Sequence, residues 1–153
     1  ELMKTRFLVC NCDNLYSVKA IKTLLGESNY NSMIAYDFEY LEFSNDRLSS
    51  FSLLNIENNF LSKIIEKPDL ELIINHSRKK YVSMNIFSFN GSEIYKHLRD
   101  CPINVKRGEK EIATALQNMI LENKKSVIAF PLCEHVPDLT YKDDLEKINK
   151  FLN

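Results

Sequence analysis

The first forty residues of the chain place a short apolar run, a turn, an amphipathic segment and a second apolar run in that order. Residues 6–12 (RFLVCNC) are largely apolar and are followed by the turn-forming pair Asp13-Asn14. Residues 17–25 carry apolar side chains at helical spacing, and Gly26 stands where a helix cap belongs. Residues 32–38 have the composition of a second strand. This order predicts a βαβ unit with parallel strands and a right-handed crossover.

The remainder of the chain adds further strands and helices. Residues 50–56 and 60–66 flank Glu57-Asn58-Asn59, which predicts a hairpin with a short turn. Residues 80–89 are the longest strand candidate, and residues 126–133 form another, in which Pro131 indicates an edge or a bend. Helices are predicted at residues 93–99, 109–122 and 143–152. The fold class is therefore α/β, with a Rossmann-like mixed, mainly parallel sheet and helices on both sides.

Composition is that of one globular domain covering residues 1–153. The 153-residue chain is 44% hydrophobic and 27% charged. No apolar run approaches the roughly 20 residues that a membrane helix needs. The 20 Lys and Arg against 21 Asp and Glu give a net charge of -1, which argues against a nucleic-acid binder, since such proteins carry a basic surplus. We therefore expect neither a membrane nor a nucleic acid as partner.

The cysteines and histidines show no metal-binding spacing. The cysteines are Cys10, Cys12, Cys101 and Cys133, and the histidines are His76, His97 and His135. Because a C-x-x-C pair is absent, the thiols are not expected to form a zinc site or a thioredoxin-type motif. We expect four buried free thiols, and hence a reducing compartment, the cytoplasm.

Two polar segments follow predicted strands and are candidates for phosphate chemistry. Asp13 lies at the carboxyl end of the first strand, where a carboxylate can hold Mg²⁺, although it is also explained as a turn or cap residue. In Glu66-Lys67-Pro68 the proline restricts Lys67 to extended geometry, so that its ammonium can meet a phosphate. Glu66 can then accept from hydroxyls. The alternative is an exposed charged pair at a loop entrance.

Three further segments carry polar residues that have both a functional and a structural explanation. Asn85 interrupts an apolar strand, and its amide needs a partner, which is either a ligand hydroxyl or a neighbouring backbone group. Glu109 and Glu111 open a predicted helix, where the helix dipole favours acids without any function. Asp138 lies in the loop after the last strand and is either a second metal-binding carboxylate or a turn residue.

Taken in this order, the five segments resemble the sugar-phosphate nucleotidyltransferase family, which includes glucose-1-phosphate thymidylyl- and uridylyltransferases. The matching segments are residues 11–14 (NCDN), 65–68 (IEKP), 82–87 (VSMNIF), 107–112 (RGEKEI) and 136–140 (VPDLT). Members of the family join an NTP to a sugar 1-phosphate and release pyrophosphate. The resemblance implies Mg²⁺ held by Asp13 and Asp138, and an acceptor phosphate contacted by Lys67. The sugar hydroxyls would be contacted by Glu66, Asn85 and Glu109.

The chain departs from the family in its donor half. The family's Gly-rich signature loop, with its Arg and downstream Lys, has no counterpart here, since the first glycine is Gly26. Thr140 also stands where the family often has Gly. The chain therefore resembles the carboxyl-terminal two-thirds of a nucleotidyltransferase domain, an incomplete nucleotidyltransferase fold. Because it begins with Glu1 and not with Met, we expect a piece of a longer protein that is inactive by itself.

Two other functions are compatible with these residues. One is a non-catalytic regulatory or binding domain of the same ancestry, and the other is an unrelated α/β interaction module in which the five matches are accidental. A sheet cut on one side leaves an unpaired edge or an exposed apolar face. We therefore also expect the chain to form homo-oligomers.

Overall fold

A computed structural model describes residues 5–27, 29–75, 79–142 and 144–152, which form one seven-stranded sheet with helices. The strands are β1 (Arg6–Cys10), β2 (Asn31–Asp37), β3 (Ser52–Glu57), β4 (Phe60–Ile65), β5 (Tyr81–Ser83), β6 (Ile86–Asn90) and β7 (Val127–Leu132). The helices are α1 (Val18–Gly26), α2 (Asn45–Leu48), α3 (Leu70–Asn75), α4 (Gly91–Asp100), α5 (Ile112–Glu122) and α6 (Asp144–Leu152). His76, Asp143 and the chain start at Glu1 lie outside the described residues.

The sheet is mixed, and β2 lies at its centre. One edge of β2 pairs in parallel with β7, and the other edge pairs antiparallel with β6 and β5. β1 continues the sheet beyond β6, β3 and β4 continue it beyond β5, and β4 meets β7 at a single residue pair. Among the described strands β2–β7 is the only parallel pair. The expectation of a Rossmann-like, mainly parallel sheet is therefore not confirmed, although the α/β class is.

The predicted βαβ unit is present, with a third strand inserted into it. β1 and β2 run in the same direction because each is antiparallel to β6, which lies between them. The hairpin of β3 and β4 is antiparallel, as predicted. A short turn can join only antiparallel neighbours, whereas α1 joins two strands that run the same way. The local pattern therefore predicts the crossover helix, but it contains no information about which later strand enters the gap.

The core has two layers, one on each face of the sheet. Along β2 the buried side chains alternate between these layers, as a pleated strand requires. Met33 and Ala35 belong to the layer that contains α4 and α5, and Ile34 and Tyr36 belong to the layer that contains α1. Every residue of β2 is buried. Helices on both sides of the sheet, as predicted, explain why this strand is apolar on both faces.

The helix α1 lies where the sequence predicts it, whereas the start of α5 differs from the prediction. The Ser17 hydroxyl caps α1 by accepting from the Ala20 N–H at 3.0 Å. The helix predicted at residues 109–122 begins only at Ile112. Residue 109 instead closes a turn in which the Asn104 N–H donates to the Glu109 carbonyl at 2.8 Å. Since Glu109 lies outside the helix, the helix dipole does not account for it.

The strand predicted at residues 80–89 is divided into β5 and β6. Asn85 lies between them with φ at 55°. Asparagine adopts this left-handed backbone conformation more readily than most residues, but it cannot continue a strand there. The apolar residues on both sides of Asn85 gave no sign of the interruption, because both short strands remain buried in the same sheet.

The prediction of four buried thiols is wrong for three of them. Cys101 is buried, whereas Cys10, Cys12 and Cys133 are exposed, and all four are free. Cys10 is the last residue of β1, which pairs with one neighbour only, and Cys12 lies in the turn that follows. Residues at the end of an edge strand leave the core, which explains why Cys10 and Cys12 are not covered.

Several apolar side chains on two helices are exposed to solvent. Val18 and Leu25 of α1 are 67% and 63% exposed, and Phe151 and Leu152 of α6 are 57% and 64% exposed. Apolar surface of this kind favours association, but homo-oligomer formation stays a prediction. None of the described helices has the length and apolar character needed to cross a membrane.

A buried carboxylate at the end of β2 makes the fold sensitive to acid. The Asp37 carboxylate accepts from Lys79 Nζ at 2.8 Å and from the Glu39 N–H at 3.1 Å. Burial raises the pKa of Asp37, but the Lys79 ammonium and the Glu39 N–H outweigh this effect. The pKa of Asp37 therefore lies below its ordinary value.

We predict that Asp37→Asn lowers stability at neutral pH by about 1 kcal/mol, since hydrogen bonds to charged groups contribute on this scale and Lys79 is half-exposed. A lowered folded-state pKa contributes stability that is present above the ordinary aspartate pKa of about 4 and is lost as the pH falls through the folded value. Urea unfolding should therefore show a difference at pH 7 that shrinks toward pH 3. Glu42→Gln, at an exposed position, is the control. An undiminished difference at pH 3 would contradict this account.

Candidate functional site

One cleft of about 660 Å³ brings together all the residues that the sequence singled out for chemistry. The six residues are Asp13, Glu66, Lys67, Asn85, Glu109 and Asp138. They come from five separate places: the end of β1, the end of β4, the break between β5 and β6, the turn before α5 and the loop after β7. Because these segments are far apart in the chain, only the folded structure can bring them together. The role of each residue stays a prediction.

Asp13 and Asp138 lie on two backbone segments that are hydrogen-bonded to each other. The Leu139 N–H donates to the Asp13 carbonyl at 2.8 Å, and the Leu15 N–H donates to the Pro137 carbonyl at 2.9 Å. An antiparallel bridge between Asn14 and Asp138 results. The loop after β1 and the loop after β7 are therefore fixed side by side at the cleft, which places both aspartates at the same end of it.

The two aspartates differ in their surroundings. Asp13 is exposed to solvent, whereas Asp138 is 7% exposed. Asp138 Oδ1 accepts from Arg47 Nη2 at 3.1 Å and from the Thr140 hydroxyl. Thr140, at the position where the family often has Gly, thus holds the carboxylate that precedes it. The Asp138 carboxylate thus has a protein cation beside it, which it shares with Asp144.

Two carboxylates at one end of an open cleft fit a magnesium ion better than a structural metal. Mg²⁺ prefers oxygen ligands and usually completes its shell with water and substrate phosphates. Within the described ranges, no group of three or more His, Cys, Asp or Glu side chains is arranged to hold a metal ion. A structural zinc site needs about four such protein ligands. The two carboxylates are donors of the type that Mg²⁺ uses, and they are too few for a structural zinc site.

In another part of the cleft, Arg107 forms ion pairs with three glutamates. Its guanidinium lies 2.9 Å from Glu111, 3.0 Å from Glu109 and 3.7 Å from Glu66. Glu66 also accepts from the Ser52 hydroxyl. The sequence contained a signal for this cluster, since Arg107 precedes both Glu109 and Glu111 within four residues. The incorrect helix start at residue 109 concealed that these side chains meet in a turn.

Two cleft residues have a left-handed backbone conformation. Lys67 has φ at 45° and Asn85 has φ at 55°. The prediction that Pro68 keeps Lys67 extended is wrong, because the chain turns sharply here between β4 and α3. Such conformations are costly for residues other than glycine, and they cluster at binding and catalytic sites. The Asn85 side-chain amide has no hydrogen-bond partner among the described residues, so the structural alternative of a neighbouring backbone group is not realised.

Tyr16 joins two of the cleft segments, and nothing in the sequence indicated this role. Its hydroxyl donates to the Met84 carbonyl at 2.6 Å and accepts from the Asn11 N–H at 3.3 Å. These contacts connect the end of β1 to the backbone turn at Asn85. Burial raises the pKa of Tyr16 above its ordinary value, against the opposing effect of the Asn11 N–H, so the hydroxyl stays protonated.

Comparison with solved structures shows the fold of the chain, whereas comparison of sequences finds no match. Neither a protein-family model nor a curated protein matches the sequence. A UDP-glucose pyrophosphorylase in complex with UDP-glucose superposes with a TM-score of 0.69 at 17% identity. A UTP-bound UGPase from Acinetobacter baumannii gives 0.67 at 13% identity. The chain has a nucleotidyltransferase-like fold. A Bacillus anthracis protein assigned as a glucose-1-phosphate thymidylyltransferase, solved with sucrose, gives 0.67 at 15% identity.

The nucleotidyltransferase-like chain matches only part of these proteins. The three alignments cover 97% of this chain but 56%, 51% and 55% of the solved chains. The chain thus spans about half the length of the structures that it matches. At these identities the likeness shows the fold, and the activity of the complete proteins comes to this chain only as a proposal.

We predict that Tyr16→Phe destabilises the chain by about 1–2 kcal/mol, because it leaves a buried carbonyl and an N–H without their partner. Tyr36→Phe is the matched control, since the Tyr36 hydroxyl is buried and has no hydrogen-bond partner among the described residues. Its removal should leave the free energy of unfolding unchanged or slightly increased. Urea unfolding of both variants measures the difference. Equal effects would show that the Tyr16 contacts contribute nothing to stability.

Proposed function

We propose that this chain is the sugar-phosphate and metal-binding part of a sugar-phosphate nucleotidyltransferase. The supporting observation is that six residues predicted from the sequence line one cleft of a nucleotidyltransferase-like fold. The complete enzyme would join an NTP to a sugar 1-phosphate and release pyrophosphate. Neighbours that hold UTP or UDP-glucose support ligands of this class. A cytoplasmic enzyme is consistent with the free thiols, and it stays a prediction.

The proposed reaction requires that the two phosphates be positioned for attack and that their negative charge be neutralised. An oxygen of the sugar phosphate attacks the α-phosphorus of the NTP in line with the departing pyrophosphate. This oxygen is already anionic, so no general base is required. Catalysis of phosphoryl and nucleotidyl transfer relies on orientation and on cations placed against the phosphates. Asp13 and Asp138 are the residues that would hold Mg²⁺, which when bound supplies positive charge to the phosphates.

The acceptor would be held by the other end of the cleft. Lys67 is exposed there, and its compact ammonium would contact the acceptor phosphate as a point charge. Glu66, held by Ser52 and Arg107, would present a fixed carboxylate to the sugar hydroxyls. The side-chain amide of Asn85, which also lines the cleft, can both donate to and accept from a hydroxyl. Glu109 would add a further acceptor beside Arg107.

A non-catalytic domain of the same fold is the second candidate, and one observation favours it. Several carboxylates near the cleft have an arginine partner within the protein, since Asp138 lies beside Arg47 and three glutamates share Arg107. A domain that had lost its charged substrate would gain stability from such internal ion pairs. The side-chain amide of Asn85 favours the first candidate, because none of the described residues uses its hydrogen-bonding groups. The two experiments below separate these candidates.

We predict that the chain binds hexose 1-phosphates in the presence of Mg²⁺ and that Lys67→Ala weakens this binding about ten- to hundredfold. This range corresponds to the loss of one hydrogen bond to a charged group, about 1.5–3 kcal/mol. Isothermal titration with a panel of hexose 1-phosphates measures it. Lys63→Ala removes an exposed lysine of β4 outside the cleft and should have no effect. Failure of the wild-type chain to bind any member would overturn the acceptor-site assignment.

We predict that the complete gene product containing this chain makes nucleotide sugars and that Asp13→Ala or Asp138→Ala lowers the rate at least about 100-fold, since each removes a charge beside the transferring phosphate. Pyrophosphate release is the measurement. Asp100→Ala, at an exposed position at the end of α4, is the control variant. Full activity in both cleft variants would refute the metal assignment. A gene without a Gly-rich, Arg-containing loop upstream would support the non-catalytic domain.

A further inference from the structure

Arg47 connects three elements beside the cleft and belongs to none of the segments that resemble the family. It lies in α2, and its Nη2 donates to Asp138 Oδ1 and to the Asp138 carbonyl, each at 3.1 Å. Its two terminal nitrogens also donate to the Asp144 carboxylate at 2.8 and 2.9 Å. The side chains of Arg47, Asp138 and Asp144 are 14%, 7% and 4% exposed. A cation and two carboxylates are thus largely withdrawn from water next to the predicted metal ligand.

The surroundings of Arg47 hold its guanidinium in place. The guanidinium carbon lies 4.8 Å from the centre of the Phe43 ring and 5.3 Å from that of the Tyr141 ring. Aromatic faces attract a guanidinium in this range of distances. The Tyr141 N–H in turn donates to Asp144 Oδ2 at 2.9 Å, which fixes Asp144 at the start of α6. Arg47 therefore has two ring contacts and a fixed carboxylate that do not involve Asp138.

We propose that Arg47 is the resident counter-cation of Asp138 and that it sets the affinity of the Asp13–Asp138 site for a divalent cation. The inference rests on the proposed function, which assigns the metal to these two aspartates. Arg47 acts on that site through Asp138 and is a positioning residue. No ligand contact is assigned to Arg47 itself.

The unequal contacts of Arg47 allow it to release Asp138. Asp144 receives two short, parallel hydrogen bonds, the geometry in which Arg–carboxylate pairs are strongest. The Asp138 carboxylate receives one longer bond. When a cation binds Asp138, Arg47 keeps both bonds to Asp144 and its ring contacts, and gives up a single bond. Asp144 thus provides Arg47 with an alternative partner, and the exchange does not leave a buried charge unpaired.

The same positive charge weakens the site for a cation that arrives alone. A unit positive charge roughly 6 Å from a divalent cation lowers its affinity about tenfold even at the dielectric constant of water. Phosphates bring negative charge that offsets this repulsion. Arg47 therefore favours joint binding of the cation and a phosphorylated ligand over binding of the cation by itself.

Mn²⁺ titration of the wild-type chain and of Arg47 variants, followed by electron paramagnetic resonance and by competition with Mg²⁺, tests this proposal. Arg47→Met and Arg47→Gln remove the charge, and the second keeps hydrogen-bond donors. Both should bind Mn²⁺ about tenfold more tightly than wild type. Arg47→Lys keeps the charge and should stay within about threefold of wild type, since only the charge sets the affinity in this account. Arg99→Met makes the same change of net charge at an exposed position of α4 and should have no effect.

The direction in which the Mn²⁺ affinity changes distinguishes this electrostatic role of Arg47 from a structural role. If Arg47 only held the loops together, its loss would disorder Asp138 and weaken Mn²⁺ binding. Unchanged or weaker binding in both Arg47→Met and Arg47→Gln therefore overturns the inference. If the wild-type binding is at the same time abolished by Asp13→Asn, the metal assignment stands without Arg47. Absence of Mn²⁺ binding in wild type and in the Arg47 variants overturns the metal assignment and the inference together, while the Lys67 titration still tests the acceptor site independently.

Discussion

The parallel pairing of β2 with β7 determines where the ends of the strands lie. β1 runs in the same direction as β2 and β7, so the loops that follow β1 and β7 leave the sheet at the same end of the strands. Hydrogen bonds between these two loops then fix Asp13 beside Asp138. Glu66 and Lys67 follow β4 of the antiparallel hairpin, and Asn85 lies in the break between β5 and β6. All three line the same cleft. The site thus depends on one parallel contact in an otherwise antiparallel sheet.

Charge pairing is the second principle that organises the cleft. Arg107 lines the cleft and Arg47 lies beside it, and each of them holds more than one carboxylate. Carboxylates that face a cleft repel one another unless cations separate them. These arginines therefore let acidic side chains stand close together in the folded protein before any ligand arrives. A phosphorylated ligand with its cation would have to exchange partners with this network.

The sequence predicted what depends on local pattern and missed what depends on distant contacts. The α1 crossover and the β3–β4 hairpin follow from periodicity and turn residues, and the six cleft residues lie in the five short segments that together resemble a known family. The position of β6 between β1 and β2 does not, because strand pairing joins residues far apart in the chain. Arg47 and Tyr16 were missed for the same reason, since their partners lie more than sixty residues away. The exposure of Cys10 and the backbone of Lys67 are likewise set by tertiary surroundings.

The left-handed backbone of Lys67 and Asn85 also bears on how relatives of this chain can be recognised. Few side chains tolerate that conformation, so replacement at either position is restricted by sterics even where the chemistry of the ligand changes. At 13–17% identity the residue letters have diverged beyond the reach of sequence comparison. A pair of non-glycine residues with positive φ at one cleft is a geometric feature that can be sought directly in backbone coordinates, independently of residue identity.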